Sequence, residues 1–399
     1  MIEIYHTNPY KARDMRALKV RIYPTQDQET FLTAQFGAVR FVYNKGLSLM
    51  RHHYNRHKRS LHPLRDIKPL LSLAKNSRRY CWLSSYDSLS LQESCRNLHK
   101  AFQGFFKKGR GYPCFKSRHG KQSSYHCGSG ISVGSDWIKV PKLKSPLKAR
   151  IHRDLEREVT SVTISKTKTG KYYASLVLKQ FSLPLRPEKV NEKNVVGLDM
   201  GLTDFVVSSE GEKVSNPRFL KKSARNLRCK QKALSRKQKG SKRRAKARLL
   251  VAKAHEKLCH VRHDFQHKLS RRIIDENQAV IVETLRVKNM LKNRRLAKHI
   301  ADASWGDFLK KLEYKAEESG KIFEKIDPWF ASSKTCSGCG QKIETLLLCV
   351  RKWTCQTCGM QHDRDVNAAN NIKAQGLLKL KAEGLSVSAN GGVRQSIQG

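Results

Sequence analysis

The chain reads as a multidomain α+β protein, with a β-rich first half interrupted by helices and an α/β second half carrying a metal-binding module. Three observations predict this. Apolar and polar positions alternate over residues 17–23, and β-patterned segments recur at 137–141, 149–151, 159–164 and 172–178. Two near-continuous apolar runs, Val195–Asp199 and Ala279–Glu283, each end in an acid. Such runs read as central strands covered on both faces, and an acid at the C-terminal end lies where open α/β sheets place their ligands. Finally, two Cys-x-x-Cys pairs, Cys336/Cys339 and Cys355/Cys358, stand fifteen residues apart.

A length of 399 residues suggests roughly two to three domains. The strongest single number is the charge. There are 80 Lys+Arg against 33 Asp+Glu, a formal net charge of +47, so the expected partner is a polyanion, with nucleic acid preferred over a membrane surface. No run of eighteen apolar residues exists and the first residues have no signal-peptide pattern, so a cytoplasmic, nucleoid-associated protein is expected. Eleven cysteines are odd in number, and seven of them are scattered, as small apolar residues of a reducing compartment are.

In chain order, Pro24 and Thr25 end the first strand, and a helix follows with Leu32, Phe36, Val39, Tyr43 and Leu47 on one face. Arg40 projects elsewhere. A second helix carries Leu91, Cys95, Leu98, Phe102 and Phe105 at helical spacing, flanked by Lys107 and Lys108, which suit contact with a phosphate backbone. Residues 109–130 read as a basic, Gly- and Ser-rich loop. Its Tyr112, Phe115 and Tyr125 either stack on bases or anchor the loop to a core. The turn Thr169-Gly170-Lys171 joins the last two strands as a hairpin, and the strands together predict a small β-barrel into which the helices of 26–110 are inserted. Residues 181–192, with two prolines, read as the linker.

After the Asp199 strand, residues 204–208 predict its antiparallel neighbour, and 217–275 a very basic helical pair. Lys242, Arg243 and Arg244 lie in its densest charge run, which either tracks phosphates or is a solvated face. A helix is expected from about Trp305 to Ser319 and a short strand at 322–326. The two cysteine pairs predict a structural zinc ribbon. Cys336, Cys339, Cys355 and Cys358 fill all four tetrahedral positions and leave none open for water. Downstream, Asp365 reads as the N-cap of a helix. Asp199, Glu283 and Asp365 thus stand at the ends of core elements. If they converge, the oxygen-rich site suits two Mg²⁺ ions and phosphodiester hydrolysis.

The order of Gly197-Leu198-Asp199-Met200-Gly201, Val282-Glu283-Thr284, the two cysteine knuckles and the run from Asp363 to Ile372 resembles TnpB, the transposon-encoded RNA-guided nuclease family related to type V CRISPR effectors. Arg21-Ile22-Tyr23-Pro24-Thr25, the stretch Gly37 to Asn44, and Gly111-Tyr112-Pro113-Cys114-Phe115 carry the same resemblance. It implies a wedge-type β-barrel from residues 1–25 and 111–183 with a helical recognition insert at 26–110. It implies a RuvC-like nuclease of the RNase H fold over 184–330 and 360–375, interrupted by the basic helical insertion 217–275 and the zinc ribbon 331–359. Residues 376–399 are expected to be a mobile tail.

By the resemblance, Asp199, Glu283 and Asp365 are the catalytic triad, with Asp363 supporting. The partners are a guide RNA from the transposon end and double-stranded target DNA cut beside a short flanking motif, with self-association left open. Two other readings stand beside this one: a nonenzymatic nucleic-acid-binding regulator of transposition, and an unguided structure-specific nuclease.

Overall fold

The computed structural model describes residues 15–118, 120, 123–152, 155, 158–179, 186–347 and 349–388. Residues 1–14 of the expected barrel, 181–185 of the linker and 389–399 of the expected tail therefore lie outside the described residues. The chain divides into two compact units, residues 1–182 and 183–399. None of the described helices is long and apolar enough to cross a membrane.

The first unit begins with β1 (Met15–Tyr23), α1 (Gln26–His57), α2 (Leu70–Asn76) and α3 (Ser88–Lys108). It continues with β2 (Ser124–Cys127), β3 (Ser132–Val133), β4 (Trp137–Lys139), β5 (Leu147–Arg150), β6 (Val159–Lys166) and β7 (Tyr172–Lys179). Both long helices start on a side-chain cap. Thr25 and Gln28 form a reciprocal capping box on α1, and Asp87 accepts the amides of Leu89 and Ser90 on α3. The strands make one sheet in the order β2-β6-β7-β1-β5-β4-β3, antiparallel throughout.

Its inner face presents Val20, Ile22, Leu147, Ile164 and Leu176, which share one core with Leu32, Phe36, Leu91 and Leu98 of α1 and α3. Among the described residues the expected barrel is seen as a half-barrel, an open seven-stranded sheet. Among the described residues β2 and β3 are its two edges and are not bonded to each other. The reason is physical: β3 is only two residues long, too short to close a barrel, and two long helices cover the apolar face instead. Tyr125, from the presumed loop, lies on β2 with its ring edge-on to Phe36, 5.7 Å between centroids, so it anchors to the core.

The second unit holds β8 (Lys189–Asn191), β9 (Val195–Asp199), β10 (Asp204–Ser208), β11 (Lys213–Ser215), α4 (Phe219–Ser235) and α5 (Lys242–Glu276). It continues through β12 (Ala279–Glu283), α6 (Val287–Met290), α7 (Ala297–Ala303), α8 (Trp305–Glu318) and β13 (Ile322–Ile326). It ends with β14 (Lys352–Thr354), β15 (Gln361–Asp363), α9 (Arg364–Ala382) and β16 (Ser386–Ser388). The main sheet has the order β11-β10-β9-β12-β13. The first three strands pair antiparallel, and β9, β12 and β13 run parallel.

Parallel strands need cover on both faces. Val196, Leu198, Val280 and Val282 face a core completed by Leu269, Ile273, Trp305 and Phe308 of α5 and α8. Val195, Ala279 and Ile281 face the other way, onto Ile372, Leu377 and Leu380 of α9. Helix α5 belongs to two environments. Its first turns expose Lys242, Arg243 and Leu250, while its last turns bury Ile273 and Ile274. Thus the expected basic insertion runs without a break into the core.

Candidate active site and metal centre

The site is built on the C-terminal ends of the parallel strands. In the β9–β12 register Leu198 pairs with Val282, which sets Asp199 and Glu283 one position beyond on adjacent strands. Neighbouring strands lie about 4.8 Å apart, so the two carboxylates are neighbours by construction. Helix α9 crosses the same strands at very short range. A Cβ added at Gly197 would stand 2.6 Å from the amide nitrogen of Lys373 and nearer still to the carbonyl oxygen of Ala369. Only glycine permits that approach, and the approach brings the first turn of α9, with Asp365, to the acids of the sheet.

Electrostatics records the proximity. Burial, then the Asp365 carboxylate, raises Asp199 to about 6. Burial, then Asp199, raises Glu283 to about 7. Asp365 is half-buried and is held by Arg351, whose Nη1 lies 3.1 Å from one carboxylate oxygen and 3.2 Å from the other. The three acids approach one another without forming a tight cage. Among the described residues the four cysteines are the only group of three or more such side chains whose ligand atoms all lie within 4.8 Å of one another.

The expected N-cap is corrected here. Helix α9 begins at Arg364, and Asp363 is its cap, accepting the amides of Asp365 at 3.1 Å and Val366 at 3.2 Å. Burial would raise the Asp363 carboxyl, but the Lys213 ammonium, 2.6 Å away, and those two amides hold it below its usual value. With the cap supplied by Asp363, the carboxylate of Asp365 is released from that duty.

The cysteine module lies directly before α9. Cys336 and Cys358 Sγ are 3.6 Å apart, as are Cys339 and Cys355 Sγ. Four thiolates around zinc at Zn–S near 2.3 Å stand roughly 3.8 Å from one another, so this donor set fits a tetrahedral Zn²⁺. Each knuckle closes on a glycine with positive φ, Gly340 and Gly359, whose amides donate to Cys336 O and Cys355 O at 2.9 Å.

Residues that the sequence reading passed over complete the module. His362 Nε2 contacts Cys336 Sγ at 3.0 Å and its ring packs on Trp353. Asn367 and Asn371, both buried on α9, clamp the first knuckle. Asn367 accepts the Ser337 amide and donates to Thr335 O, while Asn371 donates to Ser332 O and Thr335 O, with distances of 2.6–2.9 Å. Their signal was present in the run Asn367-Ala368-Ala369-Asn370-Asn371, where amides at helical spacing flank small apolar residues.

The basic residues singled out from the sequence divide between the two units, Arg40, Lys107 and Lys108 in the first and Lys242, Arg243 and Arg244 in the second. Arg40 is half-buried on α1, and burial, then Arg118, lowers its pKa. Lys107 is exposed near the end of α3; the Lys108 side chain lies outside what the structure describes. Lys242 and Arg243 are exposed at the start of α5. Arg244 is turned inward, donating to Leu234 O at 3.0 Å and Lys237 O at 2.6 Å, so it staples the α4–α5 turn.

Comparison with known proteins follows this geometry. The OrfB_IS605 profile, described as "Probable transposase", matches residues 162–294, and a Cas12f1-like TNB domain profile matches 305–372. A profile described as a helix-turn-helix domain matches 15–59, which here form a strand and one unbroken helix. The chain is 40% identical over 365 residues to a Streptomyces pristinaespiralis protein named "Putative RNA-guided DNA endonuclease", covering 91% of this chain and 89% of that one. It is 27% identical to an Escherichia coli K12 protein whose name begins with the same words, covering 91% and 92%. Among solved structures, a Cas12f1–sgRNA–target DNA complex aligns over 90% of this chain and 98% of that one, at 14% identity and TM-score 0.48.

Proposed function

The chain belongs to the TnpB family of transposon-associated proteins, the IS605 OrfB group, and from that premise we propose that it is an RNA-guided DNA endonuclease. The observation that carries the reading is the pairing of Asp199 with Glu283 on adjacent parallel strands, with Asp365 brought alongside by α9. On this reading the five-stranded sheet is the RuvC-like nuclease, and its strand order β11-β10-β9-β12-β13 supports an RNase H-type fold. The open N-terminal sheet is the wedge, and α1 to α3 form the recognition insert. The ribbon holds one structural Zn²⁺ on Cys336, Cys339, Cys355 and Cys358.

Asp199, Glu283 and Asp365 would hold two Mg²⁺ ions, since hard oxygen donors that repel one another are what a divalent cation relieves. Bound there, Mg²⁺ supplies an activated water and counter-charge for the leaving 3′ oxygen. The protein's own residues do the positioning. Asp363 caps α9, leaving Asp365 free toward the acids, and Lys213 balances the Asp363 charge. Arg351, which pairs with Asp365, places a guanidinium beside the acids that would suit a phosphate. The basic surfaces at Arg40, Lys107, Lys242 and Arg243 draw in guide RNA and target DNA by charge. Such a protein works in the cytoplasm, on the nucleoid.

The test is to express the protein beside the DNA that follows it in its native locus and sequence the copurifying RNA. One dominant species with a constant 5′ part and a 3′ end reading into flanking sequence is expected. The loaded complex should cut matching duplex DNA with Mg²⁺, and Asp199→Ala should abolish cutting while retaining binding. A smear of bulk cellular RNA, or unchanged cutting by Asp199→Ala, would overturn the proposal.

A further inference from the structure

Among the described residues Trp329 is the most exposed of the large apolar side chains, at 77% of its surface. An indole left in water keeps a large flat apolar face open to a planar partner. Trp329 is held at its backbone and over its ring. Its amide donates to the Asp327 carboxylate at 2.7 Å, and the Arg286 guanidinium lies over its ring, 4.3 Å from the centroid.

Its place in the fold is equally specific. Glu283 pairs with Ile326 in the β12–β13 register, and the Thr284 hydroxyl donates to Ile326 O at 2.6 Å. Arg286 and Trp329 each follow that pair by three residues, so both stand just past the strand end that carries Glu283. An aromatic plane backed by a guanidinium is the chemistry that stacks unpaired bases without regard to sequence, and a cation on the ring adds attraction for the adjoining phosphate.

We infer that Trp329, held by Arg286 and Asp327, is a stacking platform for an unpaired base of the DNA strand being cut, next to the phosphate that the acids address. The inference rests on the nuclease reading for its substrate, but the platform is testable without cleavage. A stacked base contributes equally to ground state and transition state, so its loss raises KM rather than lowering kcat.

The full chain is labelled with 5-fluorotryptophan, and the ¹⁹F resonance missing from Trp329→Phe is assigned to Trp329. With no Mg²⁺ added and the ribbon zinc left in place, single-stranded oligothymidylate is then titrated against an abasic strand of equal length. The Trp329 resonance should shift with oligothymidylate and hold with the abasic strand. No shift at saturation, or an equal shift with both, overturns the platform. In the guide-loaded complex, Trp329→Ala should raise KM about ten-fold, the effect of roughly one stacked base, with kcat within about two-fold and Trp329→Phe restoring KM. A fall in kcat that Phe does not restore would mark a structural role and overturn it too. Failure of the loaded complex to cut any target tells against the endonuclease reading, and the resonance experiment still decides the platform.

Discussion

Gly197→Ala is expected to be among the most damaging one-carbon changes in the protein. The new methyl meets backbone, the Lys373 amide at 2.6 Å and the Ala369 carbonyl oxygen, rather than the tip of a side chain. Ordinary contact is about 3.5 Å, so α9 must lift by about 1 Å. Overpacking of this kind costs about 3 kcal/mol. For a unit of this size that lowers Tm by roughly 6–12 °C. Function should suffer more than stability. Lifting α9 carries Asp365 away from Asp199, and a misplacement of about 1 Å at a catalytic centre costs on the order of 100-fold in rate. Thermal melting of the full chain and Mg²⁺-dependent cutting by the guide-loaded complex measure the two effects. Gly376→Ala is the control. Its methyl meets the Ile281 side chain, with Cγ1 at 2.7 Å, which adjusts more readily than backbone, so the loss should be smaller. A Gly197→Ala protein that melts within about 1 °C of the parent and cuts at its rate would refute the reasoning, as would the reverse order of the two variants.

Replacing Cys336 and Cys339 together by Ser should release zinc and expose Trp353, because the ribbon's own core is only Cys336, Trp353 and Cys355 with a few half-buried neighbours. Metal analysis and tryptophan emission read this, and stoichiometric zinc in the variant would sink the assignment. Asn371→Leu strands the Ser332 carbonyl, at about 1–3 kcal/mol when buried, and leaves Thr335 O to Asn367 alone. Zinc should stay bound while cutting falls, and a variant cutting at the parent rate would show that the clamp does not matter to the acids. For pH, the metal-free native chain keeps protons on Asp199 up to about 6 and Glu283 up to about 7, above the ordinary values of 3.8 and 4.5. The unfolded chain releases them sooner, so metal-free stability falls as pH rises through that window and levels above it. Stabilisation by Mg²⁺ should therefore grow from pH 5 to pH 8 in melting curves; equal stabilisation at both ends would contradict it.

Much of the fold was legible because period and composition agreed. Leu32, Phe36, Val39, Tyr43 and Leu47 line the buried side of α1, and Val195 to Leu198 is a central strand buried on both faces. Other features were hidden for identifiable reasons. Strand β2 is four residues within a Gly- and Ser-rich basic stretch, too short for alternation to show. Charge density masked Ile273 and Ile274, which tie the end of α5 to the sheet, while Leu249 and Leu250 near its start are exposed. Asp363 and Asp365 are equally good caps on paper, and the choice is made by two amides together with Lys213, a residue distant in sequence. The arginine on Asp365 is a tertiary fact with no local pattern, whereas the two asparagine clamps left a trace in the amide-rich run of residues 367–371. Trp329 carried no sequence signal either, since its exposure is what distinguishes it.

The close seat of α9 on β9 also bears on the order in which the proposed site can be completed. Val195, Ala279 and Ile281 have their apolar cover only when α9 docks, and α9 is made after both strands, both basic helices and the ribbon. During synthesis a growing chain can already carry Asp199 and Glu283 and attract polyanions, yet it lacks the third acid and the helix that presents it. Contacts so distant in sequence form late. On the proposed endonuclease reading, completion of the cutting centre is thereby tied to completion of the unit around it, and chains interrupted before α9 would lack its third acid.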